Sequence, residues 1–199
     1  MEREEVPTNS PIVERTDEQL AIEVQDGNAE SFGVLMERYE PKLMRYGHKF
    51  LSENEDITDI VQEVFINTYR NIRSFDAAQR FSPWIYRIAH NGFVNAIRKK
   101  SRNPFFTVDF DSFVSHPVAP EESHTEAETN EMKQMVEKGL EKLAPKYREI
   151  VVLYYLEELS YKEIADVLQV PTGTVGIRLK RAKDALQKVY KSMNITYEF

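Results

Sequence analysis

The stretch from Ser160 to Leu186, SYKEIADVLQVPTGTVGIRLKRAKDAL, constrains the fold more than any other. It reads as two helices joined by a tight turn. Ser160 with Glu163 three residues on forms a capping box for the first helix. Ile164, Ala165 and Leu168 share one face of it. Pro171 ends that helix and holds Val170 extended. Thr172 is placed to cap the second helix, whose Val175, Leu179, Ala182 and Leu186 make one narrow apolar stripe. Thr174, Arg178, Lys180, Arg181 and Lys183 occupy the other sides. A short helix, a tight turn and a second helix with a basic outer face can place that helix in the major groove of DNA. The same residues also fit an ordinary helical hairpin with a solvated basic face.

Where charge sits along the chain bears on this choice more than the net charge of −7 does. Asp17 to Tyr69 holds 4 basic and 12 acidic residues. Arg70 to Arg102 reverses the balance, with 8 basic residues against Asp76 alone. Phe105 to Glu131 has 7 acidic residues and neither Lys nor Arg. Gly176 to Lys191 has 6 basic residues against Asp184. Two basic blocks separated by an acidic spacer suit a polyphosphate met at two places, each releasing counterions.

At 199 residues the length fits one or two domains, and 41% hydrophobic content is enough for real cores. The chain has no cysteine, which excludes disulfides, thiolate metal sites and a thiol nucleophile. His48, His90, His116 and His124 lack ligand spacing, so no metal or other cofactor is expected. No apolar run approaches the roughly 20 residues of a membrane span, and the charged start MEREEVPTNSP is no signal peptide. A cytoplasmic protein is the default. No acid–base pair, nucleophile or phosphate loop emerges, so an enzyme is not expected.

Read in order, residues 1–16 carry Pro7 and Pro11 without periodicity and form a disordered tail. Asp17 caps a short helix through Gln25, stopped at Gly27. Ala29 to Leu51 is helical, with Pro41 expected to kink or divide it. Glu53 to Ile72 is a third helix with Ile57, Ile60, Val61, Val64, Phe65 and Tyr69 on its apolar stripe. Asp56, Asp59, Gln62 and Glu63 lie off that stripe, where a solvated face explains them.

After a loop, Ser82 caps a helix with Pro83 in its first turn. Trp84, Ile85, Ile88, Ala89, Phe93 and Ile97 can form its buried side. Tyr86, Arg87, His90, Asn91, Val94, Asn95 and Arg98 spread over the rest, and a basic cluster closes it. Aromatics interleaved with Arg and Asn suit stacking and base-edge bonds on unpaired nucleic acid, while each aromatic taken singly fits plain core. Residues 104–130 form an irregular acidic linker, although Phe105, Phe106, Phe110 and Phe113 suggest that its first half docks on something. Glu131 to Leu143 and Lys146 to Leu156 are two further helices, the second so apolar that it is expected at the centre of its domain. The expected fold is all-α: two small helical domains, 17–103 and 131–192, the second containing the helix-turn-helix.

Together these elements resemble an extracytoplasmic-function sigma factor of the sigma-70 family. The resemblance covers about Asp17 to Lys188. It is carried by LAPKYREIVVLYYLEELSYKEIADVLQVPTGTVGIRLKRAKDAL, close to the fourth sigma region. DITDIVQEVFINTYRNI and FSPWIYRIAHNGFVNAIRKK are close to the second. The resemblance implies that Asp56, Asp59, Gln62 and Glu63 grip the clamp of the largest subunit of core RNA polymerase. It implies that Trp84, Arg87, Asn91, Asn95, Arg98 and Lys99 bind the single-stranded −10 element. It implies that Thr172, Thr174, Arg178, Lys180 and Arg181 bind the double-stranded −35 element. It also implies control by an anti-sigma factor. Gly176 and Ile177 stand where the family commonly has Lys and Ser, and Gln169 where Gly is common. The −35 grip is therefore expected to be weaker or differently specified. The residues themselves also leave open a free-standing helix-turn-helix regulator with an N-terminal sensor or dimerisation half, and a helical adaptor that never touches DNA.

Overall fold

The computed structural model describes residues 15–100, 139–140 and 142–192. The expected N-terminal tail lies outside them apart from Arg15 and Thr16; the linker also lies outside, as does the expected Glu131–Leu143 helix apart from Gly139, Leu140, Lys142 and Leu143, the last two of which form a turn rather than helix. The described residues are helical. Helices α1 (Asp17–Gln25), α2 (Ala29–Gly47), α3 (Asn54–Asn71) and α4 (Phe81–Lys100) form an N-terminal group, with a 3₁₀ turn at Ile72–Ser74. Helices α5 (Pro145–Val151), α6 (Tyr161–Leu168) and α7 (Thr172–Ser192) form a C-terminal group.

The N-terminal core is rich in rings. Tyr39, Tyr46, Phe81, Tyr86 and Phe93 are all fully buried. Edge-on pairs link α2 to α4, with Tyr39 and Phe81 5.4 Å apart and Tyr46 and Phe93 5.9 Å apart, the geometry that ring quadrupoles favour. Gly47 permits this closeness. A Cβ there would stand 2.5 Å from Ile57 and 2.6 Å from Phe93, so α2 could not approach α3 and α4 as it does.

In the N-terminal group the expected starts of α1 and α4 and the expected end of α2 move. Thr16, not Asp17, caps α1: its hydroxyl accepts from the Gln19 amide, and the Gln19 side chain accepts from the Thr16 amide. Pro41 does not divide α2, which runs unbroken and ends at Gly47 rather than Leu51. Pro41 is exposed, so the carbonyl that loses its partner can turn to water. Helix α4 starts at Phe81, one residue before the expected cap Ser82, and the Phe81 amide donates to Glu18 Oε1 at 2.9 Å. A carboxylate from α1 thus does the work expected of the local serine.

In the C-terminal group the apolar run is only partly interior. Val151, Val152 and Leu153 are buried, but Tyr155 and Leu156 are 44% and 46% exposed. The chain winds from α5 into a π turn over Val152–Leu156. Its wider pitch, closed by the Glu157 amide on the Val152 carbonyl, carries the last two side chains outward. Helix α6 has the expected capping box: the Ser160 hydroxyl accepts from the Glu163 amide and the Ser160 amide donates to Glu163 Oε2 at 2.7 Å. It ends at Gln169 in the left-handed region, φ 54° and ψ 45°, with the Val170 amide returning to the Ala165 carbonyl. Thr172 is the first residue of α7 rather than its cap. The stripe Val175, Leu179, Ala182 and Leu186 is buried as expected, and Tyr190 extends it.

Candidate nucleic-acid interface

The outer face of α7 is set by that inner stripe. With Val175, Leu179 and Ala182 pinned against the core, Thr172, Ile177, Lys180 and Arg181 are exposed, and Thr174 and Arg178 are half-buried. Ile177 is 57% exposed, a large apolar group among cations. Behind them lies an aromatic shelf: Tyr154 meets Tyr155 at 4.8 Å and Tyr161 at 5.5 Å, and Lys183 lies 5.5 Å from the Tyr155 ring. The Tyr155 hydroxyl outweighs a lowering by burial and, with smaller effects from the neighbouring tyrosines, raises the Lys183 pKa, so this side chain stays a cation.

Helix α4 presents a second face. Arg87, Asn91, Asn95 and Arg98, at steps of 4, 4 and 3, are all exposed, as is Lys99. Trp84 is half-buried against Phe75 and Phe81, at 5.2 and 5.6 Å, so its ring is held rigidly at the head of this stripe. Tyr86, His90 and Val94, expected on the open sides of the helix, are buried. The reason is a second buried flank. One side of α4 packs into the N-terminal core, and another packs against the C-terminal group, chiefly α6. Local periodicity registers the first partner only.

On α3, Asp59, Gln62 and Glu63 are exposed and Asp56 is half-buried. Ile66 and Tyr69 continue the same helix at 50% and 49% exposure. Tyr69 had been expected on the apolar stripe. It meets Phe32 at 5.0 Å along one side and water along the other.

Polar contacts cross the seam between the two helical groups, and no periodicity in the sequence points to them. The Tyr46 hydroxyl donates to Glu149 Oε1 at 2.5 Å, and His90 Nδ1 lies 2.7 Å from the same oxygen. The Glu157 side chain is 3% exposed, with Arg45 at 3.7 Å and Lys42 at 4.0 Å. Arg80 reaches Glu163 and the Glu158 carbonyl, each at 3.3 Å. Burial, and then the negative charge of Glu149 or Glu157, pushes the Tyr46 and Tyr86 phenols far above their ordinary value. Both are therefore neutral. The sequence signal was present: a carboxylate at either end of a nearly all-apolar run, 149 and 157, is costly to bury without a partner.

Among the described residues no cluster of three or more His, Cys, Asp or Glu could hold a metal ion, and no helix is long and apolar enough to cross a membrane.

A helical protein with a basic head in each half, one of them a helix-turn-helix, is the class that fold and site define. Residues 35–103 match the family model of sigma-70 region 2, and residues 133–186 match that of sigma-70 region 4. The ECF RNA polymerase sigma factor SigW of Bacillus subtilis is 32% identical over 180 residues, covering 86% of this chain and 95% of the relative. The ECF RNA polymerase sigma-E factor of Escherichia coli K12 is 33% identical over 177 residues, covering 86% and 92%. The chain belongs to the extracytoplasmic-function RNA polymerase sigma factors of the sigma-70 family. Two solved structures share the fold. CnrH, in complex with the cytosolic domain of CnrY, has TM-score 0.63 at 24% identity, covering 89% of this chain and 99% of that one. RpoE of Bartonella quintana, in complex with the anti-sigma factor NepR, has TM-score 0.64 at 22% identity, covering 81% and 98%.

Proposed function

We propose that this chain is a promoter-specificity subunit working through three separate helical faces. Its N-terminal domain spans 17–103, its linker 104–130 and its C-terminal domain 131–192. Helix α3 docks on the clamp of core RNA polymerase through Asp56, Asp59, Gln62 and Glu63. Helix α4 receives the opened −10 strand along Arg87, Asn91, Asn95, Arg98 and Lys99, with Trp84 as a rigid stacking platform. Stacking is indifferent to base identity, whereas asparagine amides reach base edges, so the two together give grip and choice. Helix α7 enters the −35 major groove with Thr172, Thr174, Arg178, Lys180 and Arg181. No catalytic group is invoked, and the site of action is the cytoplasm, where the polymerase works. Control by an anti-sigma factor, as bound to the Bartonella relative, belongs to the same reading.

The carrying observation is that the Arg and Asn stripe of α4 is exposed although two other flanks of that helix are buried. A helix wedged between two packing partners has its free face fixed in direction. A regulator using the helix-turn-helix alone gives that face no work, and the region 2 match leaves such a regulator without support.

The test is reconstitution with core polymerase and promoter DNA. The chain is expected to co-elute with core and direct run-off transcription. Asn91→Ala with Asn95→Ala should still give a promoter complex but no permanganate-reactive thymines at −10. Arg178→Ala with Arg181→Ala should weaken promoter binding by about 1–3 kcal/mol per arginine and leave core binding intact. A chain that neither co-elutes with core nor initiates at any promoter overturns the proposal.

A further inference from the structure

The segment between α3 and α4 is held from outside itself. A chain leaving a helix through a tight turn presents carbonyls with no partner of their own. At Ile72–Ser74 the Phe75 amide returns to the Ile72 carbonyl at 3.0 Å, and α1 supplies what is still missing. Gln25, the last residue of that helix, donates its side-chain amide to the Ile72 carbonyl at 2.7 Å and to the Phe75 carbonyl at 2.8 Å, across 47 and 50 residues. Glu18, two turns earlier and so on the same face of α1, accepts from the Phe81 amide. One helix thus holds both ends of the stretch 72–81, while Asp76, Ala78, Gln79 and Arg80 between the two holds are exposed.

What this bracing positions is a ring. Phe75 lies in extended backbone, φ −71° and ψ 128°, so no helix of its own fixes it. Its side chain is 5% exposed and meets Phe81 edge-on at 5.3 Å and Trp84 at 5.2 Å. Trp84 is half-buried, so the part of its ring that faces water is set by Phe75 and Phe81. We infer that Gln25 is a positioning residue for strand opening: through Phe75 it fixes the Trp84 ring on which an unpaired base stacks. The inference rests on the reading of α4 given above. A base gains from stacking only as far as the platform is already held, since a ring free to rock must first be ordered. Gln25 itself touches no DNA in this role. Its loss should therefore spare the first encounter with duplex and slow the step in which a base leaves the stack.

Trp84 is the single tryptophan of the chain, so fluorescence of the free protein reports on this ring alone. Gln25→Met keeps the length of the side chain and removes its amide, and Gln25→Lys puts donors back at similar reach. Val24→Ala, at the neighbouring buried position, removes core contacts and leaves the two bonds in place. In the free chain Gln25→Met is expected to raise acrylamide quenching of Trp84. With core polymerase on duplex promoter it should slow the appearance of permanganate-reactive thymines at −10 by about fivefold, the worth of one ordinary hydrogen bond. The equilibrium constant for initial promoter binding should not change. Gln25→Lys should recover most of the opening rate, and Val24→Ala should lower Tm with neither effect. Quenching and opening by Gln25→Met equal to those of wild type overturn the inference. So does a slowing by Val24→Ala as large as that by Gln25→Met, which would make the effect one of stability. If the wild-type holoenzyme opens no promoter, the reading of α4 has failed instead, and quenching in the free chain still decides whether Gln25 holds the ring.

Discussion

At the scale of single residues, Ile177 is the informative departure. A branched apolar side chain 57% exposed on the helix proposed to face DNA has one favourable partner in the major groove, the methyl group of thymine. It lies within one turn of Thr174 and Arg181, whose polar groups would fix its register on the bases. Replacing one −35 thymine by uracil is expected to weaken binding about fourfold, the worth of one buried methyl at about 0.8 kcal/mol. Ile177→Ser should abolish that sensitivity. Anisotropy titrations with singly substituted duplexes read both effects, and identical responses of the two proteins at every thymine would falsify the assignment. Single residues also mark what sequence could and could not convey. Arg87, Asn91, Asn95 and Arg98 were legible as lying off the apolar side of α4, but Tyr86, His90 and Val94, read the same way, are buried, so spacing alone did not isolate the open stripe. Glu149, Glu157, Tyr46 and His90 were not recognisable as a set, because their pairing depends on which helices meet across the linker. Helical spacing carries no record of that meeting.

At the scale of elements, the two ends of α6 make opposite contributions. Its start is well made. Burial opposes ionisation of Glu163, but the Ser160 hydroxyl and amide and the Arg80 guanidinium outweigh it and hold the carboxyl below its ordinary value of 4.5. A lowered folded-state pKa means stability that is full above the unfolded value and lost as pH falls through the folded one. Against Glu163→Gln, the wild-type advantage in urea midpoint should therefore be constant well above pH 4.5 and shrink below it. A difference that grows on acidification would contradict the capping geometry. Its end is costly. Gln169 sits at φ 54°, where a side chain costs about 1–2 kcal/mol and glycine costs nothing. The Gln169 amide recovers part of this by donating to the Asp166 carbonyl at 2.5 Å. Gln169→Gly should stabilise by about 1 kcal/mol, raising Tm by about 2–4 °C. Calorimetry showing a fall would mean the side-chain bond outweighs the backbone strain. The start of α6 was legible because a capping box is local chemistry, whereas its end, assigned to Pro171, falls at Gln169 in the left-handed region. The start of α4 was not legible, since its capping carboxylate comes from Glu18, 63 residues away.

At the scale of the whole molecule, charge and reach act together. A net charge of −7 repels DNA at long range, so productive approach depends on basic faces presented in the right places. Promoter affinity of the holoenzyme should fall steeply with salt, at a logarithmic slope of about −0.9 per phosphate neutralised. Arg98→Gln with Lys99→Gln should flatten that slope by about 2. Titration across salt concentrations checks this, and an unchanged slope would show that the end of α4 never reaches phosphate. The all-helical class and the order of the two heads followed from periodicity and charge blocks. The arrangement of one half on the other did not, because its partners are long-range, Glu149 with Tyr46 and His90 among them.

The bond between Glu18 and the Phe81 amide has a practical corollary for anyone shortening this protein. Helix α1 looks like a dispensable leader, brief and remote from every reading face. Yet its carboxylate terminates the helix that carries Trp84 and Asn91. Trimming the chain past that point is expected to unpin the first turn of the helix proposed to hold the opened strand, and to take with it the Asp17 contacts to Arg38 and Tyr39.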